Sequence, residues 1–397
     1  MSLSRDLPVY SPVSAGALVA GFGALLGGGK GADLEQIVRQ NYAPAALLFT
    51  DSGTSALGLA LRAATPAGPS PDGGAIVALP AYGCYDLATA ADAAGVRVVL
   101  YDTDPATLGP DWASLDRALA AGATAVVVPS LYGIPVALDR VEEACRGRAL
   151  VVDDAAQAVG ASLGGKRIGR FGTFGVLSFG RGKGCTGGGG GALLANDAEG
   201  AARLDAVRGV LRPGQRGWAA WVKLAAQWLL ARPSVYGLPA SFPPLGLGLT
   251  VYHQAWAPSG CPVSCAAALR ANWAAASAEA EIRRTAGRAL ASRITGNSSV
   301  RVPSPPQGAE ASWLRFPVIV AENAVPQART LQASGVMPGY PAAICDLDGF
   351  GERCLNRGDP FPGARLLARR LFTVPVHSRV RPETAARLHQ WLDGLAA

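Results

Sequence analysis

The chain has 397 residues, 49% of them hydrophobic and only 16% charged, with 50 glycines and 29 prolines. That is apolar material for a large core, at a length where single cores stop growing, so two domains are expected. Thirty-six Lys and Arg against 29 Asp and Glu give a net charge of +7, and no basic run exceeds a pair such as Arg369-Arg370. Nucleic-acid binding needs a concentrated basic stripe; this diffuse excess suits anionic small substrates.

The seven cysteines are scattered, and none shows the two-residue spacing of a zinc site. A reducing cytoplasm and no metal centre are expected. After Arg5, the stretch SAGALVAGFGALLGG imitates a signal peptide, but it is glycine-rich and lacks a clear cleavage site. No segment reaches the roughly 20 apolar residues of a membrane span.

From about residue 45 to 195, short apolar runs alternate with Ala-rich helical patterns. The runs are AIVALP (75–80), VRVVLYD (96–102), TAVVVPS (124–130), ALVVDD (149–154), FGVLSFG (174–180) and GALLAND (191–197). Near-continuous apolar strands separated by helices indicate a parallel sheet covered on both faces. The fold class is therefore α/β, with ligands at the carboxyl ends of the strands.

After about residue 200 the alternation stops. A Trp-rich helical segment (217–232) is followed by PASFPPLGLGLT (239–250), which reads as a boundary. Residues 1–238 are expected to form a large α/β domain and 250–397 a smaller α+β domain. The latter carries an Ala-rich helix (265–292), a strand (313–321) and a final helix from Pro382. Trp218, Trp221 and Trp228, edged by Arg212, Arg216, Lys223 and Arg232, allow two readings. One is a helix lying on a membrane interface; the other, commoner for tryptophan at helical spacing, is packing against the small domain or a second subunit.

Only four lysines exist, and Lys183 follows the strand VLSF by a Gly-Arg-Gly turn, before five consecutive glycines. Its amine thus falls in the ligand zone, where ALVVDD also delivers Asp153 and Asp154. The segment DSGTSALGLAL (51–61) opens a helix with Ser52, Gly53, Thr54 and Ser55, offering backbone N–H groups and hydroxyls to an anion. Ser178 adds another hydroxyl. A Schiff-base lysine, a carboxylate for a ring nitrogen and a phosphate cradle together are what pyridoxal 5'-phosphate (PLP) requires. Strand alternation turns Asp153 and Asp154 to opposite faces, so only one can serve.

These residues resemble a family. VVDDAAQAVGA followed by GRFGTFGVLSFGRGKGCTGGGGGALLAND is similar to the cofactor core of the DegT/DnrJ/StrS sugar aminotransferases, which are PLP-dependent enzymes of fold type I. SGTSAL, LPAYGCYDLATAADAAG, LYDTDPATLGPD, VVVPSLYGIP and LFTVPVH fall in the family's order. The resemblance implies a mostly parallel central sheet flanked by helices plus a small α+β domain. It also implies that Lys183 carries the cofactor and shuttles protons, that Asp154 faces the pyridinium nitrogen and that Gln157 faces the phenolic oxygen. Gly53, Thr54, Ser55 and Ser178 would hold the phosphate.

Two departures stand out. The family's stacking aromatic falls on Cys84 when counted without gaps from Pro80, with Tyr82 and Tyr85 alongside; Tyr85 is the expected substitute. The family's Asn-x-Arg segment, by which a neighbouring subunit reaches the site, is matched by SGCPVSCAAAL with Pro262 in place of Arg, and Tyr252 or His253 would supply the substrate contact.

The expected function is a homodimeric, cytoplasmic PLP aminotransferase of polysaccharide or secondary-metabolite biosynthesis. It would move an amino group from L-glutamate to a keto group of an anionic nucleotide-linked sugar or related ketone. The alternatives are a PLP enzyme of racemisation or carbon-carbon bond formation, and a non-catalytic PLP-binding scaffold docking on a membrane or partner through the Trp-rich segment.

Overall fold

The computed structural model describes residues 5–27, 32–65, 74–232, 235, 251–294 and 299–395. The segment 239–250, read above as a boundary, lies outside the described residues. Seven strands form the main sheet: β1 (Ala46–Thr50), β2 (Ile76–Pro80), β3 (Arg97–Tyr101), β4 (Ala125–Pro129), β5 (Leu150–Asp154), β8 (Phe174–Ser178) and β9 (Gly191–Ala195). The intervening β6 (Ser162–Leu163) and β7 (Lys166–Arg167) join β11 (Ala309–Glu310) in a separate small sheet.

The main sheet runs β1-β9-β8-β5-β4-β2-β3. Neighbours pair in parallel from β8 to β3, while β9 is antiparallel to both β1 and β8. Strands β4, β8 and β9 are buried at every position, because helices cover both faces. Glycine at 191 pairs with Thr50 on one side and Ser178 on the other. This register brings the start of the helix Gly53–Ala64 onto the end of β8.

In chain order the helices are α1 (Ala15–Leu25), α2 (Ala32–Tyr42), α3 (Gly53–Ala64), α4 (Asp86–Ala94), α5 (Trp112–Ala120), α6 (Leu138–Cys145), α7 (Ala198–Arg208), α8 (Trp218–Leu230) and the long α9 (Val263–Ile294). The signal-like apolar stretch is α1, whose Ala17, Gly21, Ala24 and Leu25 are buried. Small residues allow close approach: a Cβ at Gly21 would stand 3.2 Å from the Ser264 carbonyl oxygen of α9. Buried Asn272 on α9 accepts from the Ser14 N–H (2.9 Å) and donates to the Thr186 carbonyl (2.9 Å), tying α1 to the glycine loop.

A second, antiparallel sheet, β10 (Val300–Arg301), β12 (Phe316–Val320), β14 (Leu371–Val374) and β13 (Met337–Pro338), carries the C-terminal region. The N-terminal segment crosses between the two halves. Asp6 accepts two hydrogen bonds from Arg381, both 2.8 Å, and the Leu7 carbonyl accepts from His377 Nε2 at 2.9 Å. Ser11 Oγ then donates to the Lys183 carbonyl at 2.7 Å.

Candidate active site

One small cavity at the carboxyl ends of the strands is lined by Gly53, Thr54, Cys84, Asp86, Asp154, Gln157, Ser178 and Lys183. Sequence-distant strand ends meet here because β5 and β8 are adjacent and α3 begins at β8.

The two aspartates part company as a strand requires. Asp154 lines the cavity, and its Oδ1 accepts from the Ala156 N–H at 3.0 Å. Burial raises its pKa, while that N–H and the Lys183 charge pull it back toward the ionised form. Asp153 points the other way, where its Oδ2 accepts from the N–H groups of Gly169 and Phe171. Burial pushes the Asp153 carboxyl up to about 8, and among the described residues its Oδ1 has no hydrogen-bond partner.

Gln157 is held by two bonds: its Oε1 accepts from the Tyr132 N–H at 3.1 Å and its Nε2 donates to Tyr340 Oη at 2.8 Å. Tyr340 stacks on Tyr132, ring centroids 6.1 Å apart, and its N–H donates to Tyr82 Oη at 3.1 Å. The C-terminal region thus reaches the cavity through a cluster of tyrosines. No local motif announces Tyr340, which lies 183 residues from Gln157.

At the phosphate end, Ser52 caps α3 by accepting from the Ser55 N–H at 3.1 Å. The remaining first-turn N–H groups, that of Thr54 among them, have no acceptor within the helix. A Cβ at Gly53 would stand 2.5 Å from Ser178 Cβ, so only glycine lets these backbones meet. Ser55 is 7% exposed, bonds to Ser52 and is not among the residues lining the cavity.

Three expectations fall elsewhere in the structure. Tyr85 does not line the cavity: its hydroxyl accepts from the Ala342 N–H at 2.9 Å and its ring packs against Tyr340. The chain turns after β2 and directs Cys84 inward instead. Burial first, then nearby Asp86, pushes the Cys84 thiol up to about 12 despite Lys183, so it stays a neutral thiol. Tyr252 packs on Phe350, with centroids 5.7 Å apart. His253 Nε2 lies 3.7 Å from Asp86 Oδ1, one side chain removed from the cavity. Asp86 itself carried no signal in the sequence beyond its place at the start of α4.

The geometry fits PLP: a buried carboxylate, an amine and a hydroxyl-rich helix start with no room for a Cβ converge on one cavity. The sequence profile of the DegT/DnrJ/EryC1/StrS aminotransferase family matches residues 19–222, and the chain belongs to that family of PLP-dependent enzymes. It is 35% identical over 170 residues to GDP-perosamine synthase of Caulobacter vibrioides, covering 42% of this chain and 44% of that protein. It is 36% identical over 162 residues to L-glutamine:2-deoxy-scyllo-inosose aminotransferase of Micromonospora echinospora, covering 40% and 37%. The chain thus matches less than half the length of these curated relatives. The fold is that of the solved sugar aminotransferases: CalS13 from Micromonospora echinospora superposes with a TM-score of 0.76 at 21% identity, covering 97% of this chain and 98% of that one. The PMP form of Spr1654 from Streptococcus pneumoniae gives 0.76 at 16% identity, covering 99% and 98%.

Proposed function

We propose that this protein is an aminotransferase that moves an amino group from L-glutamate to the keto group of a nucleotide-linked sugar, working as a homodimer in the cytoplasm. The observation that carries the reading is the convergence of Lys183, Asp154, Gln157 and the Gly53–Ser178 contact on one cavity. The names of the curated relatives supply the substrate class. Several of those names specify L-glutamine, which makes glutamine the second donor to test.

When bound, PLP supplies an electron sink for the carbon that bears the transferred nitrogen. Asp154 would stabilise a protonated ring nitrogen, being buried with its charge favoured by Lys183 and the Ala156 N–H. Thr54, Ser178 and the positive end of α3 would hold the phosphate. Gln157 would orient the ring's oxygen side, fixed by Tyr340 and Tyr132. Lys183 Nζ would hold the cofactor and then move the proton to and from the substrate carbon.

The family resemblance and a missing charge support the homodimer. Among the described residues lining the cavity, Lys183 is the only cation, and a sugar diphosphate needs cationic partners. A second copy would bring them from residues other than the segment around Pro262, where the family's arginine is lacking.

The test is the visible absorbance of the purified protein before and after L-glutamate or L-glutamine, in wild type and Lys183→Ala. The expected result is a cofactor band that shifts with a donor in wild type and does not respond in the variant. No band after reconstitution with PLP overturns the reading. A band that ignores both donors turns it toward other PLP chemistry.

A further inference from the structure

The apolar face shared by α1 and α8 has no part in the proposed reaction. On α1 and its C-cap, Val19, Phe22 and Leu26 stand three and four residues apart and face outward, with Val19 72% and Leu26 68% exposed. On α8, Trp218, Val222 and Leu229 form a second outward stripe, 49%, 57% and 50% exposed. The stripes join edge to edge, since the Phe22 ring lies 6.1 Å from that of Trp218 and 5.3 Å from that of Trp221. Opposite faces of the same helices are anchored: Leu224 is buried and Trp221 Nε1 donates to the Leu18 carbonyl at 2.9 Å. The patch is therefore rigidly mounted, and contiguous apolar surface of this kind marks an interaction site.

Charge decides the partner. The sequence has no acidic residue from Leu7 to Ala32 or from Gly209 to Arg232. Exposed Arg212 and Arg216 precede α8, Lys223 lies on it and Arg232 follows it, and among the described residues none of the four forms an ion pair with a carboxylate. The Arg232 guanidinium lies over the Trp228 ring, 4.6 Å from its centroid. A two-fold contact between copies would set these cations against their counterparts. An anionic bilayer instead takes up both features, accepting the apolar stripe at the headgroup boundary and the cations at the phosphates.

We propose that the α1/α8 face docks the protein on anionic membrane surfaces, lying on the bilayer without crossing it. No helix among the described residues is long and apolar enough to span. The proposal is independent of the reaction proposed above, and its failure leaves that reading untouched.

The test is co-sedimentation of the full chain with vesicles of phosphatidylcholine alone or mixed with phosphatidylglycerol, at low and high salt. Wild type should pellet with the anionic vesicles, be released by salt and stay largely in solution with neutral ones. Val19→Glu/Val222→Glu/Leu229→Glu changes only exposed positions and should abolish binding with the unfolding midpoint unchanged. Arg216→Gln/Lys223→Gln should weaken it by on the order of 25-fold, about fivefold per cation. The proposal is overturned by absence of binding to anionic vesicles, by equal binding to neutral ones, or by full binding of the triple variant. It is also overturned if the triple variant dissociates an oligomer in sedimentation velocity, which would make the face a contact between copies.

Discussion

Gly53 and Ser178 meet at the end of the sheet so closely that a Cβ on residue 53 would stand 2.5 Å from Ser178 Cβ and 2.7 Å from its Oγ. The contact exists because Gly191 pairs with both Thr50 and Ser178. It fixes the distance between the α3 N-terminus and the Ser178 hydroxyl, the two groups assigned to the phosphate.

Gly53→Ala should therefore force Ser178 aside at an overpacking cost of about 1–3 kcal/mol. Expected are a lower melting temperature and faster loss of PLP on dialysis. Unchanged cofactor retention would show that the phosphate sits elsewhere.

The aspartates should separate by function. Asp154→Asn removes the charge facing the cavity and should lower kcat on the order of a hundredfold or more while leaving the fold intact. Asp153→Asn should leave kcat within a few fold, because Asp153 serves the backbone of Gly169 and Phe171. Steady-state rates of the two variants check this, and a reversed order would exchange their roles.

Asp153 also predicts a pH effect. Its folded pKa of about 8 lies above the ordinary 3.8, so the folded protein keeps a proton that the unfolded chain releases. That contribution to stability is complete below the ordinary value and is lost as pH rises toward about 8. Asp153→Asn remains neutral, so its urea midpoint should gain on wild type as pH rises through this window. Buried His377, held down at about 4, gives an opposite slope in acid, but it does so in both proteins and cancels in the difference. Parallel midpoints across the window would mean that Asp153 is ionised in the folded state.

Tyr340→Phe keeps the aromatic stack and deletes the acceptor for Gln157 Nε2. A net loss of about 1 kcal/mol predicts about a fivefold fall in kcat with KM little changed. An effect confined to KM would place Tyr340 against the substrate instead.

What the sequence disclosed followed from locality. Lys183, Asp154, Gln157, Ser178, Gly53 and Thr54 sit at strand ends or a helix start whose apolar runs and small residues are readable in order, and these six line the cavity. Ring chemistry alone favours Tyr85 over Cys84; the turn after β2, which decides which side chain faces inward, leaves no trace in residue type. Tyr340 and the buried Arg283, whose Nη1 donates to the Tyr10 carbonyl at 3.5 Å, reach their partners through tertiary packing. Neither periodicity nor spacing could have found them. The same holds for α8, where helical tryptophan spacing was legible but the outward stripe depends on where α1 lies.

The clasp between Asp6 and Arg381 bears on how the protein is made. Asp6 leaves the ribosome 375 residues ahead of Arg381 and 378 ahead of Thr384. Ser11, anchored to the Lys183 carbonyl, belongs to the same strap. The loop bearing the amine therefore gains its full support only once the helix Pro382–Gly394 has been synthesised, so a nascent chain stalled before that point would hold its lysine in an unfinished setting.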